Sequence, residues 1–371
     1  MFYKNARIFC SDFRFREGAF EVKDGLFGAV LPEEVPADAV DLQGATVIPG
    51  LIDVHNHGNS GADFSDGDYE GLKKMAKYLA ENGITSFAPA SMTLPYDVLG
   101  KAFATAKQLR DEAPEGHARL MGIQMEGPYF SEKKKGAQNG AYLKNPDFEG
   151  FKKLYDDCDG LVRIVDIAPE LPGAAEFVEQ AKDLCTVSVA HTDSDYDHAR
   201  VAFEKGATHL THLYNAMPGI HHRNPGTIPA AVEASHVRAE IISDGMHIHP
   251  ASVRLAFSMF GGERMILVSD ALRCCGMPDG EYELGGQPVF LAGGVAKLAD
   301  GTLAGSATNL FDCMKNAMKF GIKEEDAIRA ATYNPACALG AEDKIGSIEE
   351  GKYADFIICD SDYNIKQIHM G

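Results

Sequence analysis

At residues 45–57 the chain reads ATVIPGLIDVHNH, an apolar and partly β-branched run that ends in two histidines. The run lies between Gly44 and a turn region with glycines at 58 and 61, a setting typical of a buried strand. Because residues i and i+2 of a strand point to the same side, His55 and His57 can reach one cation at the strand's end. A His-x-His pair alone indicates a metal site only weakly, since such histidines are often simply solvated. Its meaning therefore depends on the segments that follow.

The middle of the chain alternates between helical and strand-like segments. Residues 68–82 have the apolar spacing of one helix face, at Leu72, Met75, Ala76 and Leu79. Further helices are predicted at 96–112, 174–184 and 195–205, and strands at 83–89, 120–126, 161–167, 186–191, 207–212, 239–244 and 264–270. About eight strand–helix units in about 300 residues predict a (β/α)8, TIM-like barrel rather than an open sheet. No Gly-x-Gly-x-x-Gly follows a first strand, which argues against a dinucleotide-binding fold.

Both ends of the chain are strand-like instead. Residues 2–9 form one predicted strand, and residues 20–23 and 26–30 flank Asp24-Gly25, a strong hairpin turn. Near the other terminus, residues 346–348 and 354–359 have the same character. The sequence therefore predicts an α/β protein with a small, discontinuous β-sandwich domain, residues 1–48 and 346–371, and a barrel domain, residues 49–345.

Composition limits the classes of partner. The chain has 371 residues, and its 35 basic and 54 acidic side chains give a net charge of −19, which disfavours nucleic acid and anionic membranes as partners. No apolar run is long enough to span a bilayer, and the N-terminal residues lack the apolar core of a signal peptide. The eight cysteines are scattered without a Cys-x-x-Cys pair. These features predict a cytoplasmic protein in a reducing compartment.

Ionisable side chains stand at or just past the C-terminal ends of six predicted strands. They are His55 with His57, Glu126, His191, His212, Asp244 with His247, and Asp270. In a barrel this is the face on which active sites form. A single histidine at a strand end is usually just exposed or hydrogen-bonded, but convergence from six strands indicates a functional site.

The residue types indicate a metal. Nitrogen and carboxylate ligands without thiolate suit a first-row dication. Glu126, His191 and His212 supply three ligands and leave an open position for water, as a catalytic site requires. His55 and His57 can complete a second site. The predicted cofactor is one or two divalent cations per chain, zinc first, with iron, manganese or cobalt as alternatives.

The remaining histidines receive other predictions. His209 lies three residues before His212 and falls on the opposite face of the strand, so we predict a structural role. His221, next to Arg223, stays undecided. No ligand role is predicted for those in helices or loops, which are His117, His198, His222, His236, His249 and His369.

Longer segments carry a resemblance. They are PGLIDVHNHG (49–58), MEGP (125–128), THLYNAM (211–217), DGMH (244–247), VSDA (268–271) and GTLAGS (301–306), with the more widely shared ATYNPA (331–336) and GKYAD (351–355). They resemble the amidohydrolase superfamily, and within it the deacetylases of amino-sugar phosphates. The resemblance covers essentially the whole chain, and its His-Leu-Tyr-Asn-Ala-Met run is much more specific than the His-x-His.

The resemblance implies roles for the metal and acid–base residues. Glu126, His191 and His212 correspond to the principal metal ligands. His55 and His57 match members of the superfamily that hold two metals. Asp270 corresponds to the catalytic acid and base.

It also implies a set of substrate contacts. Arg223 resembles the phosphate-binding arginine, and His247, beside Asp244, resembles a substrate-orienting histidine. The other implied contacts are Ala137, Gln138, Asn215, Ala216, Leu303, Ala304 and Gly305. Gln138 is a departure, because some members carry a histidine there. A glutamine can hydrogen-bond a sugar but cannot titrate, so no acid–base role passes to it.

The implied activity is hydrolysis of the acetamide of N-acetyl-D-glucosamine 6-phosphate to D-glucosamine 6-phosphate and acetate, in amino-sugar catabolism. A metal can polarise the poor acetamide electrophile, Asp270 can move the proton, and Arg223 can grip a phosphate through its planar fork. The resemblance also implies a homodimer. Alternatives are another N-acetylhexosamine phosphate, such as N-acetylgalactosamine 6-phosphate, and a cyclic amide as in dihydroorotase. A catalytically inactive scaffold is disfavoured by the intact set of ionisable residues.

Overall fold

The computed structural model of the chain describes residues 1–371. Its strands in chain order are β1 (Phe2–Phe9), β2 (Phe15–Lys23), β3 (Leu26–Val30), β4 (Val40–Asp41), β5 (Thr46–Pro49), β6 (Leu51–Asn56), β7 (Gly58–Asn59), β8 (Ala62–Asp63), β9 (Ile84–Pro89), β10 (Arg119–Leu120), β11 (Ile123–Met125), β12 (Val162–Ile167), β13 (Thr186–Val189), β14 (His209–Leu210), β15 (Arg238–Ile242), β16 (Met265–Val268), β17 (Gly280–Leu284), β18 (Gln287–Ala292), β19 (Val295–Leu298), β20 (Phe356–Cys359) and β21 (Ile365–His369). Its helices are α1 (Tyr69–Glu81), α2 (Tyr96–Glu112), α3 (Phe148–Asp157), α4 (Ala174–Ala181), α5 (Tyr196–Lys205), α6 (Thr227–Glu233), α7 (Pro250–Phe260), α8 (Leu310–Lys319), α9 (Glu324–Ala331) and α10 (Tyr333–Ala338). None of the helices has both the length and the apolar character needed to cross a bilayer.

The run at residues 45–57 is two strands in two different sheets, so the prediction of a single strand is wrong. β5 pairs with β1 and β20 in the sheet formed by the chain ends, whereas β6 pairs in parallel with β9. The chain changes sheets at Gly50, where a Cβ atom would lie 2.1 Å from the side-chain oxygen of Thr85. The sequence does not reveal this change of sheet, because both strands are fully buried and the apolar run continues from one to the other.

Parallel strands build the central sheet. β6, β9 and β10 are neighbours, and β11 to β16 follow one another in chain order. A bridge between Ala90 and Gln124 joins the two sets, and the Asp270 N–H donates to the carbonyl of His55, 2.9 Å away, where the last strand meets the first. The predicted α/β architecture of the barrel type is confirmed. The strand predicted at 120–126 is divided, because Met121 and Gly122 interrupt it.

Helices cover the outside of this sheet at the predicted places. α1 begins after Asp68, whose carboxylate accepts from the backbone N–H groups of Glu70 and Gly71. It buries the four apolar residues of its predicted face, each worth about 1.5–3 kcal/mol on full burial except the alanine. α2 has the predicted bounds, whereas α4 ends three residues early.

The two chain ends meet in one seven-stranded sheet of order β21-β20-β5-β1-β2-β3, with β4 beside β1. Its apolar core includes the mutually packed rings of Tyr3, Phe20, Phe27 and Phe356. The strand predicted at residues 346–348 is absent. Ile348 makes only an isolated bridge with Cys10, and the segment is too short for a ladder.

An antiparallel sheet of β17, β18 and β19 was not predicted. It packs through Leu284, Val289 and Leu291 against Met92 and Leu272 at the C-terminal ends of the parallel strands. The Gln287 side chain donates to the carbonyl of Ala137, 2.7 Å away. This small sheet therefore forms one wall of the cleft described next.

Candidate active site

The C-terminal ends of the parallel strands bring the predicted ionisable residues together. His55 is on β6 and His57 just after it, Glu126 follows β11, His191 follows β13 and His212 follows β14. Asp270 stands two residues after β16. All six side chains are buried, although the sequence separates them by up to 215 positions.

Glu126 is the centre of the cluster. Its Oε1 atom lies 3.1 Å from Nε2 of both His191 and His212, and these two nitrogens are 3.1 Å apart. Its Oε2 atom lies 3.3 Å from Nε2 of His57. Two groups of potential ligands share this glutamate: the first triad, His55, His57 and Glu126, and the second triad, Glu126, His191 and His212.

Backbone carbonyls fix the orientation of two imidazoles. Nδ1 of His57 lies 3.1 Å from the carbonyl of Ala90, and Nδ1 of His191 lies 2.9 Å from the carbonyl of Lys134. A carbonyl can only accept, so each Nδ1 carries the proton. Each ring therefore presents Nε2 to Glu126, where a protonated imidazole donates to the carboxylate and a neutral one would be free to bind a metal.

The cluster fits a divalent cation. Within each triad the ligand atoms lie within 4.8 Å of one another. His55 Nε2 is buried and lacks a hydrogen-bond partner, which is costly unless another group satisfies it. Nitrogen and oxygen donors without thiolate suit zinc and its first-row neighbours.

Electrostatics agree with this fit. Burial lowers the pKa of an imidazole, but Glu240, Glu126 and Asp270 outweigh burial at His55 and raise its pKa to about 10. Burial raises the pKa of Glu126, yet hydrogen bonds from three histidines hold that pKa well below its usual range. The carboxylates that favour protons on these imidazoles also favour a dication among them.

The backbone is strained where the ligands leave the strands. His191, His212 and Asp270 have φ values of 42°, 28° and 48°. A non-glycine residue in such a conformation costs on the order of 1–3 kcal/mol. The predicted strands ran through these positions, but β13, β14 and β16 end two residues before each one. Past the strand ends, His191 and His212 contact Glu126, and Asp270 contacts His57.

A cleft of about 250 Å³ opens above the cluster. The predicted contacts that line it are Ala137, Gln138, Asn215, Ala216, His247, Leu303, Ala304 and Gly305. Sequence reasoning missed Met92, Leu272, Leu284 and Thr302, which also line it. Three of these are ordinary apolar residues, and only the packing of the β17–β19 sheet places them there.

Gln138 is held by the protein on both sides of its amide. The Thr93 N–H donates to its Oε1 at 2.8 Å, so its amide nitrogen must face Glu126, whose Oε2 lies 2.5 Å away. The predicted sugar contact therefore lines the cleft but accepts from Thr93 and donates to Glu126.

His247 faces the cleft from the other side. Its Nδ1 lies 2.7 Å from Oδ2 of Asp244, and its Nε2 donates to the carbonyl of Ala304 at 2.7 Å. Burial opposes the positive charge, but Asp244 outweighs it and raises the pKa of His247 to about 9. Asp244 is thus the support of His247 and does not line the cleft.

Arg223 is not brought to the cleft of its own chain. It is exposed, and its guanidinium lies 2.7 Å from Nε2 of His222. No lysine or arginine lines the cleft. A lysine or arginine that binds a phosphate there would have to come from outside the residues that form the cleft.

Two buried carboxylates beneath the site were not anticipated. Glu240 contacts His55 and His209. Asp53 accepts a hydrogen bond from the hydroxyl group of Ser269, which is next to Asp270. Burial raises the pKa of Glu240, but His55 and His209 hold it far below its usual range. A charged residue inside an apolar strand was the available sequence signal.

Comparison with known proteins gives a consistent result. The family model described as "Amidohydrolase family" matches residues 46–369. A Bacillus subtilis (strain 168) protein named N-acetylglucosamine-6-phosphate deacetylase is 36% identical, over 94% of this chain and 90% of its own. An Escherichia coli O157:H7 protein named N-acetylgalactosamine-6-phosphate deacetylase is 33% identical, over 94% and 92%.

Solved structures of deacetylases with the same enzyme name also match the fold of the whole chain. A mutant N-acetyl-D-glucosamine-6-phosphate deacetylase from Mycobacterium smegmatis, in complex with N-acetyl-D-glucosamine-6-phosphate, matches with a TM-score of 0.93 and 31% identity. The match covers 100% of this chain and 97% of that one. N-acetylglucosamine-6-phosphate deacetylase from Pasteurella multocida also gives 0.93, at 30% identity and the same coverage.

Proposed function

The chain belongs to the amidohydrolase family, and we propose that it hydrolyses the acetamide of N-acetyl-D-glucosamine 6-phosphate to D-glucosamine 6-phosphate and acetate. The observation that carries this proposal is the buried convergence of Glu126, His191 and His212 with Asp270 at the floor of a cleft. The relatives named above act on this class of substrate.

The second triad would hold the metal, with the first triad as a further site, and zinc suits these ligands best. A bound dication polarises an amide carbonyl and lowers the pKa of water to about 7. The protein supplies the positioning and the proton transfer.

Asp270 is the proton carrier. Its Oδ1 lies 3.4 Å from Nε2 of His57, beside the shared glutamate. Burial raises the pKa of Asp270, but His57 and the other imidazoles outweigh it and lower the pKa, so the group is a carboxylate at neutral pH. Water adds to the acetamide carbon and gives a proton to Asp270. Asp270 then returns it to the nitrogen as the C–N bond breaks, and the proton of the new carboxylic acid passes to the amine, leaving acetate and the protonated amine.

His247 orients the substrate. Its Nε2–H donates to the carbonyl of Ala304 at the wall of the cleft. When substrate binds, the acetamide oxygen can accept this hydrogen bond in place of the Ala304 carbonyl. Asp244 keeps the proton on Nδ1 and the ring in place. Asn215, Ala216 and Leu303 to Gly305 surround the sugar.

The phosphate requires a second copy of the chain. No lysine or arginine lines the cleft, the exposed Arg223 is free of carboxylate partners, and Ile220 beside it is 49% exposed. We therefore propose a homodimer in which the partner subunit's Arg223 grips the phosphate with its planar fork. Light scattering should show a dimer. A mixture of Arg223→Ala and Asp270→Asn chains, each impaired alone at low substrate, should regain activity in mixed dimers, and a strictly monomeric active enzyme would contradict the proposal.

N-acetylgalactosamine 6-phosphate is the second candidate, because one relative carries that name. A cyclic amide is less favoured, since Glu126 occupies the strand end where such hydrolases place a carboxylated lysine. The deciding experiment is acetate release from a panel of the two 6-phosphates and their unphosphorylated sugars. Preference for the glucosamine derivative supports the proposal, and preference for the galactosamine derivative replaces it.

We make two further proposals, one on the domains of the chain and one on its location in the cell. We divide the chain into a β-sandwich domain, residues 1–48 and 346–371, and a barrel, residues 49–345. The sheet that unites both chain ends supports the division. We place the protein in the cytoplasm, which the eight free cysteines and a phosphorylated metabolite as substrate support.

A further inference from the structure

Glu240 is an unusual residue for its position. It lies within β15, between apolar Ala239 and Ile241, and its side chain has no exposed area. A buried carboxylate is costly unless several donors compensate it. Its contacts therefore indicate its role.

Three donors surround this carboxylate. Oε2 lies 2.9 Å from Nδ1 of His55 and 3.2 Å from the backbone nitrogen of His212, and Oε1 lies 2.9 Å from Nε2 of His209. A backbone N–H can only donate, so Oε2 is an acceptor. Nδ1 of His55 then donates to the same oxygen, and Nε2 of His55 is the ring nitrogen left to face a cation.

The free nitrogen faces the metal cluster. His55 Nε2 lies 3.6 Å from Oε1 of Glu126 and 3.7 Å from Oδ1 of Asp270, buried and without a hydrogen-bond partner. Unlike His57 and His191, whose Nδ1 protons go to backbone carbonyls, His55 is held by a carboxylate. A carboxylate both orients an imidazole and makes it a more basic ligand.

We propose that Glu240, itself held by His209, is a positioning residue that fixes the ring of His55 so that its Nε2 faces the first triad. The inference deepens the proposed function and rests on it for the role of the cations. It predicts that the chain binds two divalent cations and that the affinity of the first triad depends on the charge of Glu240.

A matched control exists in the same sheet. Asp166 on β12 is equally buried, and its carboxylate contacts Gln124 and Thr211 but no residue of either triad. Asp166→Asn therefore reports what replacing a buried acidic side chain by its amide does in general, whereas Glu240→Gln reports what this replacement does next to His55.

The test is a Zn²⁺ titration of chelator-stripped chain in competition with a chromophoric chelator, with metal content measured after dialysis. We expect two ions for the unmodified chain and for Asp166→Asn, and one for His55→Asn. Glu240→Gln should bind one ion normally and the other about 10–100-fold more weakly. A single ion in the unmodified chain, or unchanged affinity in Glu240→Gln, would overturn the proposal.

The double variant separates positioning from general support. If Glu240 acts through His55, adding Glu240→Gln to His55→Asn should leave the affinity of the remaining ion unchanged. A further loss would show that Glu240 supports the second triad or the fold instead, and would also overturn the proposal.

One measurement needs no folded Glu240 variant. In Zn²⁺-loaded protein with ¹⁵N-labelled histidine, the His55 signals, identified by their loss in His55→Asn, should show a protonated Nδ1 and a zinc-bound Nε2. Zinc on Nδ1 would refute the inference. Both experiments lack substrate, so their failure is distinguishable from failure of the acetate-release assay, which tests the proposed function.

Discussion

Asp270→Asn tests the central step of the proposed reaction. Asparagine nearly preserves the shape of the side chain but can neither accept a proton from water nor deliver one to the leaving amine. In the structure Asp270 is 9% exposed, and its Oδ1 atom lies 3.4 Å from His57 Nε2 and 3.7 Å from His55 Nε2. The substitution therefore changes the chemistry of this atom with little change in packing.

The magnitude follows from the role. A positioned acid and base contributes about 10²–10⁴-fold to turnover, which corresponds to about 2.7–5.4 kcal/mol of transition-state stabilisation at 1.36 kcal/mol per tenfold. The contacts of Asp270 are with imidazoles that also face Glu126, so we expect turnover to fall by this factor while the Michaelis constant changes little.

The assay is acetate release under saturating substrate, with metal content and thermal unfolding measured on the same sample. Asp166→Asn is the matched control. Burial and the nearby carboxylates raise the pKa of Asp166 well above its usual value, so asparagine resembles the protonated side chain and turnover should be unchanged.

The outcomes separate two roles. Low turnover with full metal content supports proton transfer by Asp270. Low turnover that falls in proportion to metal content assigns Asp270 to metal binding instead. Near-normal turnover with full metal content would refute the reasoning.

Four further predictions follow from the structure. Chelation should abolish activity and lower the melting temperature, and Zn²⁺ should restore both, whereas full activity in a metal-free sample would contradict the metal site. Arg223→Ala should raise the Michaelis constant for the 6-phosphate by about 10–100-fold, with little change for the unphosphorylated sugar. Gly50→Ala should destabilise the fold by about 1–3 kcal/mol in chemical denaturation, because its Cβ would clash with Thr85, and Thr85→Ala should restore part of the loss. The pKa of His247 is raised to about 9 in the folded state, so its contribution to the free energy of unfolding should be complete below about pH 6.5 and be lost as pH rises to 9. The free energy of unfolding, measured by denaturation of the metal-free chain and of His247→Gln, should differ less between the two as pH rises from about 6.5 to 9. A difference that stays constant over this pH range would contradict the prediction.

The candidate site was predictable to the extent that it depends on strand ends. Parallel strands expose their C-terminal ends on one face, so a histidine or carboxylate after each strand can be assigned to that face from sequence. His55, Glu126 and His191 follow this rule, and the structure brings them together. The strand-end rule also gave Asp244, and the resemblance added Arg223. The structure places Asp244 behind His247 and Arg223 outside the cleft.

The sequence by itself determined the alternation of strands and helices and the residues at the strand ends, because both depend on local periodicity and on the type of side chain. Only the tertiary structure decided the change of sheet at Gly50, the fixation of Gln138 between Thr93 and Glu126, and the contact of Glu240 with His55. His55 and Glu240 are 185 residues apart and meet because neighbouring strands are added in order until the last lies beside the first. A local pattern carries no information about such a contact, since the partner of a buried polar atom is set by how the whole sheet curls.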